Sequence, residues 1–217
     1  MDSNAQMPPR KGRDFIARHG ETVFNVVGRL QGDHVHTPLT RAGFAQAEEM
    51  GRALRKNLGA KPALTLWASP TGRALQTLAV IAEHLDLDWH TAQTDSRLVE
   101  IETGAWGGRY YADLAAEGAR VVDRTAGLLF PAPDGETYPE IAARVSGWLA
   151  DTTDDEGDRL VIMHGISSRV LRGVMTGAAD VPGFDAPAAP GLPQGSVVMI
   201  DRGIESVVHL GLGHAPA

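Results

Sequence analysis

Five short apolar segments recur along the chain, Asp14–Ala17, Ala63–Ala68, Leu160–Met163, Ser196–Asp201 and Glu205–Leu210, and the stretches between the first four carry helical period. Strand and helix in alternation predict an α/β fold, because a helical crossover returns the chain to the sheet in the same direction. One helix is expected from the N-cap residue Thr40 to a stop at Gly59, with Phe44, Ala47, Gly51, Leu54 and Leu58 inward and Arg41, Glu48, Glu49, Arg52 and Arg55 outward. A second follows Ser69-Pro70 and directs Ala74, Leu75, Leu78, Ile81, Ala82 and Leu85 to the core. A third starts after His164-Gly165, carries Val170, Leu171, Val174 and Met175 and ends at Gly177, and a fourth runs from Tyr138 to Ala150. An aromatic share of 6% beside abundant Gly and Ala suits helices packed on a sheet better than a β-sandwich.

The 217 residues are enough for one well-buried core, so a single domain is expected over 13–217, preceded by a mobile tail over 1–12. Gly104–Arg109 and the proline-rich Val181–Gln194 read as surface loops, and 107–136 is weakly patterned, as an insertion or lid folded over a cleft would be. There is no cysteine, which removes disulfides, thiolate catalysis and Cys-ligated zinc, and no apolar run or signal-peptide core points to a membrane or to export. Cytoplasm is the expected compartment, and nothing in the sequence opposes a homodimer. A net charge of -7 argues against nucleic acid and anionic membranes as partners. An anionic substrate must then be drawn by a few positive groups gathered in one cleft.

Such a gathering is written into the order of elements. Arg18-His19-Gly20, Ser69 with Arg73, and His164-Gly165 each follow the carboxyl end of an expected strand, the edge where open α/β sheets bind ligands. Two histidines and two arginines in one pocket suit phosphoryl transfer, which needs positive donors around the equatorial oxygens and an in-line nucleophile. His19 is the candidate nucleophile, Arg18 and Arg73 the clamp, and His164 a donor to the developing charge. Gly20 and Gly165 would let backbone approach the phosphate, with the amides opening the following helix adding a favourable dipole. Glu100, between the second helix and the glycine-rich loop, is the candidate acid for the leaving oxygen, in a position where partial desolvation would raise a carboxyl pKa.

Arg18-His19-Gly20-Glu21-Thr22 with Asn25 resembles the signature of the phosphoglycerate mutase-like branch of the histidine phosphatase superfamily. Gly28-Arg29-Leu30-Gln31-Gly32, Pro38-Leu39-Thr40 with Gly43, Ser69-Pro70 with Arg73-Ala74, Leu98-Val99-Glu100-Ile101 with Gly104 and Trp106, His164-Gly165, Asp134-Gly135-Glu136-Thr137 and Gly195-Ser196-Val197 are similar to that family's further motifs, in order. The resemblance implies a three-layer α/β/α sandwich around a mixed, mostly parallel sheet, a transient phosphohistidine at His19, and neither metal nor cofactor. It also implies that Thr22 and Asn25 help to hold phosphate or neighbouring oxygens of a small phosphorylated metabolite.

The family contains phosphatases and mutases. Mutases usually carry extra basic residues after the acid motif, whereas Gly107–Glu136 offers only Arg109, Arg120 and Arg124, so a phosphomonoesterase is the favoured reading and a cofactor-dependent phosphoglycerate mutase its alternative. Two readings come from other classes. His34 and His36, in a departure from the family pattern, form a His-x-His pair that with His164 and a carboxylate would suit a metal-dependent hydrolase. A non-catalytic phosphate-binding module would normally lack the nucleophile or an arginine, and Arg18, His19, Arg73, Glu100 and His164 are all present.

Overall fold

The computed structural model describes residues 10–213. In chain order its elements are β1 (Asp14–Arg18), α1 (Val23–Val26), α2 (Arg41–Leu58), β2 (Leu64–Ala68), α3 (Gly72–Leu85), β3 (Gln93–Thr94), α4 (Tyr111–Ala116), β4 (Val122–Asp123), β5 (Leu128–Leu129), α5 (Tyr138–Asp151), β6 (Asp158–Met163), α6 (Ser167–Thr176), β7 (Val197–Asp201) and β8 (Ile204–His209). Six strands form one sheet in the order β3-β2-β6-β1-β7-β8. The β3-β2-β6-β1 ladder is parallel, and β7 and β8 are added antiparallel, joined by a hairpin. The mixed, mostly parallel sheet is as expected.

Period-two alternation divides the core in two. Phe15, Ala17, Leu66, Ala68, Leu160 and Ile162 face Ala47, Met50 and Leu54 of α2 and Leu78, Ile81 and Leu85 of α3. Ile16, Trp67, Val161 and Met163 point the other way, onto Ile141, Val145 and Trp148 of α5 and Val170 and Leu171 of α6. Strands covered on both faces have no solvent side, which is why their sequences read as unbroken apolar runs. Thr40 caps α2, its hydroxyl accepting from Gly43 N, and Gly59 ends the helix. Phe44 departs from its expected place: it is 41% exposed, and Gly43 faces inward instead. There a Cβ would lie 2.0 Å from Glu21 O, so the helix start packs too closely on the chain after β1 for any side chain.

The segment 107–136 forms α4 and the β4-β5 hairpin, and its Leu114, Val121 and Leu128 are buried in the α5/α6 core. The loop 181–194 is not the surface loop that its prolines suggest. Phe184, Ala186 and Ala189 are buried, and Phe184 lies between the rings of Phe130 (5.7 Å, stacked) and Tyr138 (4.8 Å, edge-on). Of the stretch 1–12, residues 1–9 lie outside the described residues. Residues 10–12 are fastened rather than loose: Arg10 donates to Gly157 O at 2.6 Å, and a Cβ on Gly12 would meet that same oxygen at 2.0 Å. Among the described residues no helix is long and apolar enough to cross a membrane.

Candidate active site

Strands β2, β6 and β1 are adjacent and parallel, so the residues that follow them meet at one sheet edge. His19 N–H donates to Met163 O (2.9 Å) and Ser69 N–H to Ile162 O (3.0 Å), which fixes the three strand ends together. The rings of His19 and His164, both buried, are 5.1 Å apart between centroids and inclined by 64°. His19 Nδ1 lies 2.7 Å from Gly20 O. A carbonyl only accepts, so Nδ1 carries the proton and Nε2 the lone pair. His164 is the reverse case, because its Nδ1 faces the donor Nε of Arg73 at 3.2 Å, leaving an Nε2–H that has no partner. Burial first, then the positive charges of Arg73 and Arg18, holds the His19 pKa well below the ordinary histidine value. The same causes act on His164, with desolvation again the largest.

The two arginines differ in how much they can offer a ligand. Nε and Nη1 of Arg18 are buried without partners, and burial lowers its pKa against the opposing pull of Glu100. Arg73, fully buried and drawn down to about 10 mainly by desolvation, spends its donors on His164 Nδ1, Thr37 Oγ1 (2.9 Å), Gly32 O (2.7 Å) and His34 O. It holds the 32–37 loop and the His164 ring, which leaves it fewer donors to face the cavity than its sequence position suggests.

A cavity of about 270 Å³ opens on this cluster, lined by Arg18, His19, Asn25, Arg73, Glu100 and Gly165 among others. Glu100 does not stand free at its edge. Oε1 accepts from Ile101 N (3.0 Å) and Ser167 N (2.9 Å), and Ile166 N reaches both oxygens at 3.2 and 3.0 Å. The amides opening α6, expected to face phosphate, are thus taken by Glu100, and Oε2 is its less engaged oxygen. Gly20 also has a different reason to be glycine: a Cβ there would lie 2.3 Å from Gly43 O, so helix packing requires it, and it is not on the cavity wall. At Gly165, on the wall, a Cβ would sit 3.4 Å from Arg18 Cζ and 3.5 Å from Glu100 Oε2.

Thr22 and Asn25 form a capping box on α1. Thr22 is buried and off the wall, whereas Asn25 lines the cavity, its Oδ1 accepting from Thr22 N (3.0 Å) and Gln194 Nε2 (2.8 Å). His34 and His36 are exposed. Among the described residues no three His, Asp or Glu side chains gather as metal ligands would, so the metal-hydrolase alternative lacks its ligand set.

Four polar side chains of the wall are not among the site residues expected from the sequence: Arg29, Gln31, Tyr111 and Gln194. Arg29 is clasped between the rings of Phe24 (4.6 Å) and Tyr110 (5.1 Å) and donates to Gly108 O at 2.6 Å. The Tyr111 hydroxyl, pushed up to about 12 by burial and by Glu100, stays protonated. Both tyrosines lie at the start of the weakly patterned 107–136 segment, so periodicity carried no signal for them.

A family model described as the histidine phosphatase superfamily (branch 1) matches residues 15–202. The chain is 34% identical over 169 residues to the probable phosphoglycerate mutase GpmB of Enterobacter sp. (strain 638), covering 75% of this chain and 74% of that one. It is 29% identical over 175 residues, 80% of its length, to a 6-phosphofructo-2-kinase/fructose-2,6-bisphosphatase of Caenorhabditis elegans, of which it spans only 35%. Among solved structures, one described as mycobacterial hydrolase 1 superposes with a TM-score of 0.72 at 25% identity, over 95% of this chain and all of the other (100%).

Proposed function

The chain belongs to the histidine phosphatase superfamily, and we propose that within it the protein is a phosphomonoesterase that passes the phosphoryl group of a small metabolite through His19 to water. The observation that carries this reading is the tautomer pair. His19 presents an Nε2 lone pair, and His164 presents an unpartnered Nε2–H from a ring 5.1 Å away, both beside Arg18 donors with nothing else to bind. In the first step Nε2 attacks phosphorus and the ester P–O bond breaks, with the leaving oxygen taking a proton from the Oε2 edge of Glu100. In the second, water gives a proton back to Glu100 and its oxygen displaces the histidine, releasing inorganic phosphate. Arg18 and the His164 N–H carry the charge that builds on the equatorial oxygens.

The cavity wall favours water over a returning phosphoryl acceptor. Arg109, Arg120 and Arg124 are all absent from it, and 107–136 contributes Tyr111 and Leu129 instead. The mutase reading rests on the name of the GpmB relatives and on Arg29, a positive group on the wall that would suit a substrate carboxylate. Incubation with labelled phosphomonoester is expected to leave acid-labile, alkali-stable label on the chain, lost together with turnover in His19→Ala. Turnover surviving that substitution removes the phosphohistidine. Conversion of 3-phosphoglycerate, with and without 2,3-bisphosphoglycerate, separates the two readings: isomerisation outrunning hydrolysis makes the protein a mutase.

A further inference from the structure

Gln194, the last residue of the proline-rich loop, is fully buried, lines the cavity, and has an Oε1 with no hydrogen-bond partner. An amide drawn the wrong way round would make such an orphan trivial, but here the bonding fixes the orientation. Thr22 N–H can only donate, so the Asn25 atom 3.0 Å from it must be Oδ1. That same oxygen lies 2.8 Å from the Gln194 amide, so the Gln194 atom facing it must be the NH₂. Among the described residues Oε1 is therefore left as a buried acceptor with no protein donor, a costly arrangement unless a ligand or an ordered water supplies one. Asn25 Oδ1 accepts from both Thr22 N and Gln194 Nε2, and the Thr22 hydroxyl, with its single proton, lies 2.8 Å from both Asn25 Oδ1 and Gln31 Oε1 and can serve only one of them.

We propose that Gln194 is a specificity-determining residue whose Oε1 accepts a hydrogen bond from a hydroxyl on the leaving group, so that the substrates are phosphorylated polyols or sugars. This rests on the phosphomonoesterase reading above. A hydroxyl on the leaving group is a neutral donor for Gln194 Oε1 that can also accept from a neighbouring N–H. An ammonium would donate equally well but would enter a cavity already lined by Arg18, Arg29 and Arg73. A carboxylate has no proton to give to Oε1, and a second phosphate is mostly the dianion at neutral pH.

The test uses matched phosphomonoesters differing by one hydroxyl at the second, third or fourth carbon from the ester oxygen, beginning with propane-1,2-diol 1-phosphate against n-propyl phosphate. For at least one pair kcat/KM is expected to favour the hydroxylated member by about 10-fold or more in the wild-type enzyme. Gln194→Met, which keeps the length and removes the acceptor, should bring that ratio close to one. General damage to the site lowers both members alike and leaves the ratio standing, so a ratio that survives the substitution overturns the proposal. So does a wild-type ratio within two-fold for every pair, which needs no variant to fold. Thermal stabilisation of His19→Ala by the same pairs reads recognition without turnover. Discrimination there, with no hydrolysis by the wild-type enzyme, would sink the phosphatase reading and keep the hydroxyl site; hydrolysis without discrimination would do the opposite.

Discussion

Neutral imidazole is the form of His19 that the proposed phosphoryl transfer requires, and burial among arginines is what keeps it neutral. Both His19 and His164 have pKa values held well below the usual histidine value by desolvation first. The stability consequence has a definite sign. Below about pH 6.5 the unfolded chain takes up a proton at each of these positions and the folded chain does not, so stability falls as pH drops. Each histidine contributes a slope of about 1.4 kcal/mol per pH unit, and urea midpoints measured from pH 7 to 5.5 should show it, with His164→Gln reducing the slope by about half. Activity at saturating substrate should stay level through the range where an ordinary histidine protonates; a kcat profile falling with a midpoint near about 6.5 would contradict the burial argument. Glu100→Gln tests another residue at this scale. If Oε2 protonates the leaving oxygen, alkyl phosphates should lose about 100-fold or more in kcat while p-nitrophenyl phosphate, which leaves without help, loses much less. Equal losses would assign Glu100 to capping α6 alone. Arg18, His19, Arg73 and His164 were legible in the sequence because each stands within a few residues of a strand end, where chain order alone predicts convergence. Gln194 was not, since a residue ending a long proline-rich loop has no register from which its position follows.

At the scale of elements, the α6 helix is the joint between catalytic edge and cavity wall. Arg169, buried on it, donates to Ala189 O (2.8 Å), Ala126 O (2.9 Å) and Gly127 O, and so ties the 181–194 loop and the β4-β5 hairpin to one side chain. Gln194 and Leu129, which lie in or beside those two segments, line the cavity. Arg169→Met keeps the aliphatic stem and strands three carbonyls, so it should cost about 2–4 kcal/mol in urea unfolding and raise KM more than it lowers kcat. An unchanged KM would mean that the wall holds its shape without this tie. Gly43→Ala probes the other joint: with a Cβ 2.0 Å from Glu21 O, α2 must lift away from the chain just after His19, and both stability and kcat should fall. The helices themselves were readable, since Thr40, Gly59 and Gly177 mark ends chemically and the buried face of α3 keeps its period, whereas α6 is buried on every side from Ser167 to Gly173. The error at Phe44 has the same root as the Gly20 correction. Two glycines in contact let backbone pack on backbone, a preference that a hydrophobic period does not register.

For the molecule as a whole, strand direction separates chemistry from structure. The carboxyl ends of β1 and β6 carry the histidines and the Arg18 donors, while the opposite ends of the same two strands carry a buried ion pair between Asp14 and Arg159 (2.5 Å), whose positions face each other in the parallel register. Arg159 also donates to Thr152 Oγ1 at 2.6 Å and lies 4.5 Å over the Trp148 ring, fastening the start of β6 to the end of α5. Along β6 it is four residues from Met163, roughly 13 Å at the rise of an extended strand, so it is out of reach of substrate. In a chain of net charge -7, Arg159 is neutralised by Asp14 where it stands, while Arg18 keeps buried Nε and Nη1 donors without partners at the cavity. Arg159→Met should therefore cost about 3 kcal/mol or more, since it leaves Asp14 as a buried carboxylate with only Arg10 nearby at 3.5 Å. At 25 °C in buffer, where the variant is still folded, its kcat/KM should stay within two-fold of wild type. A drop in kcat/KM without loss of stability would mean that the sheet transmits strain from one edge to the other, and the two poles would then have to be treated as a single unit.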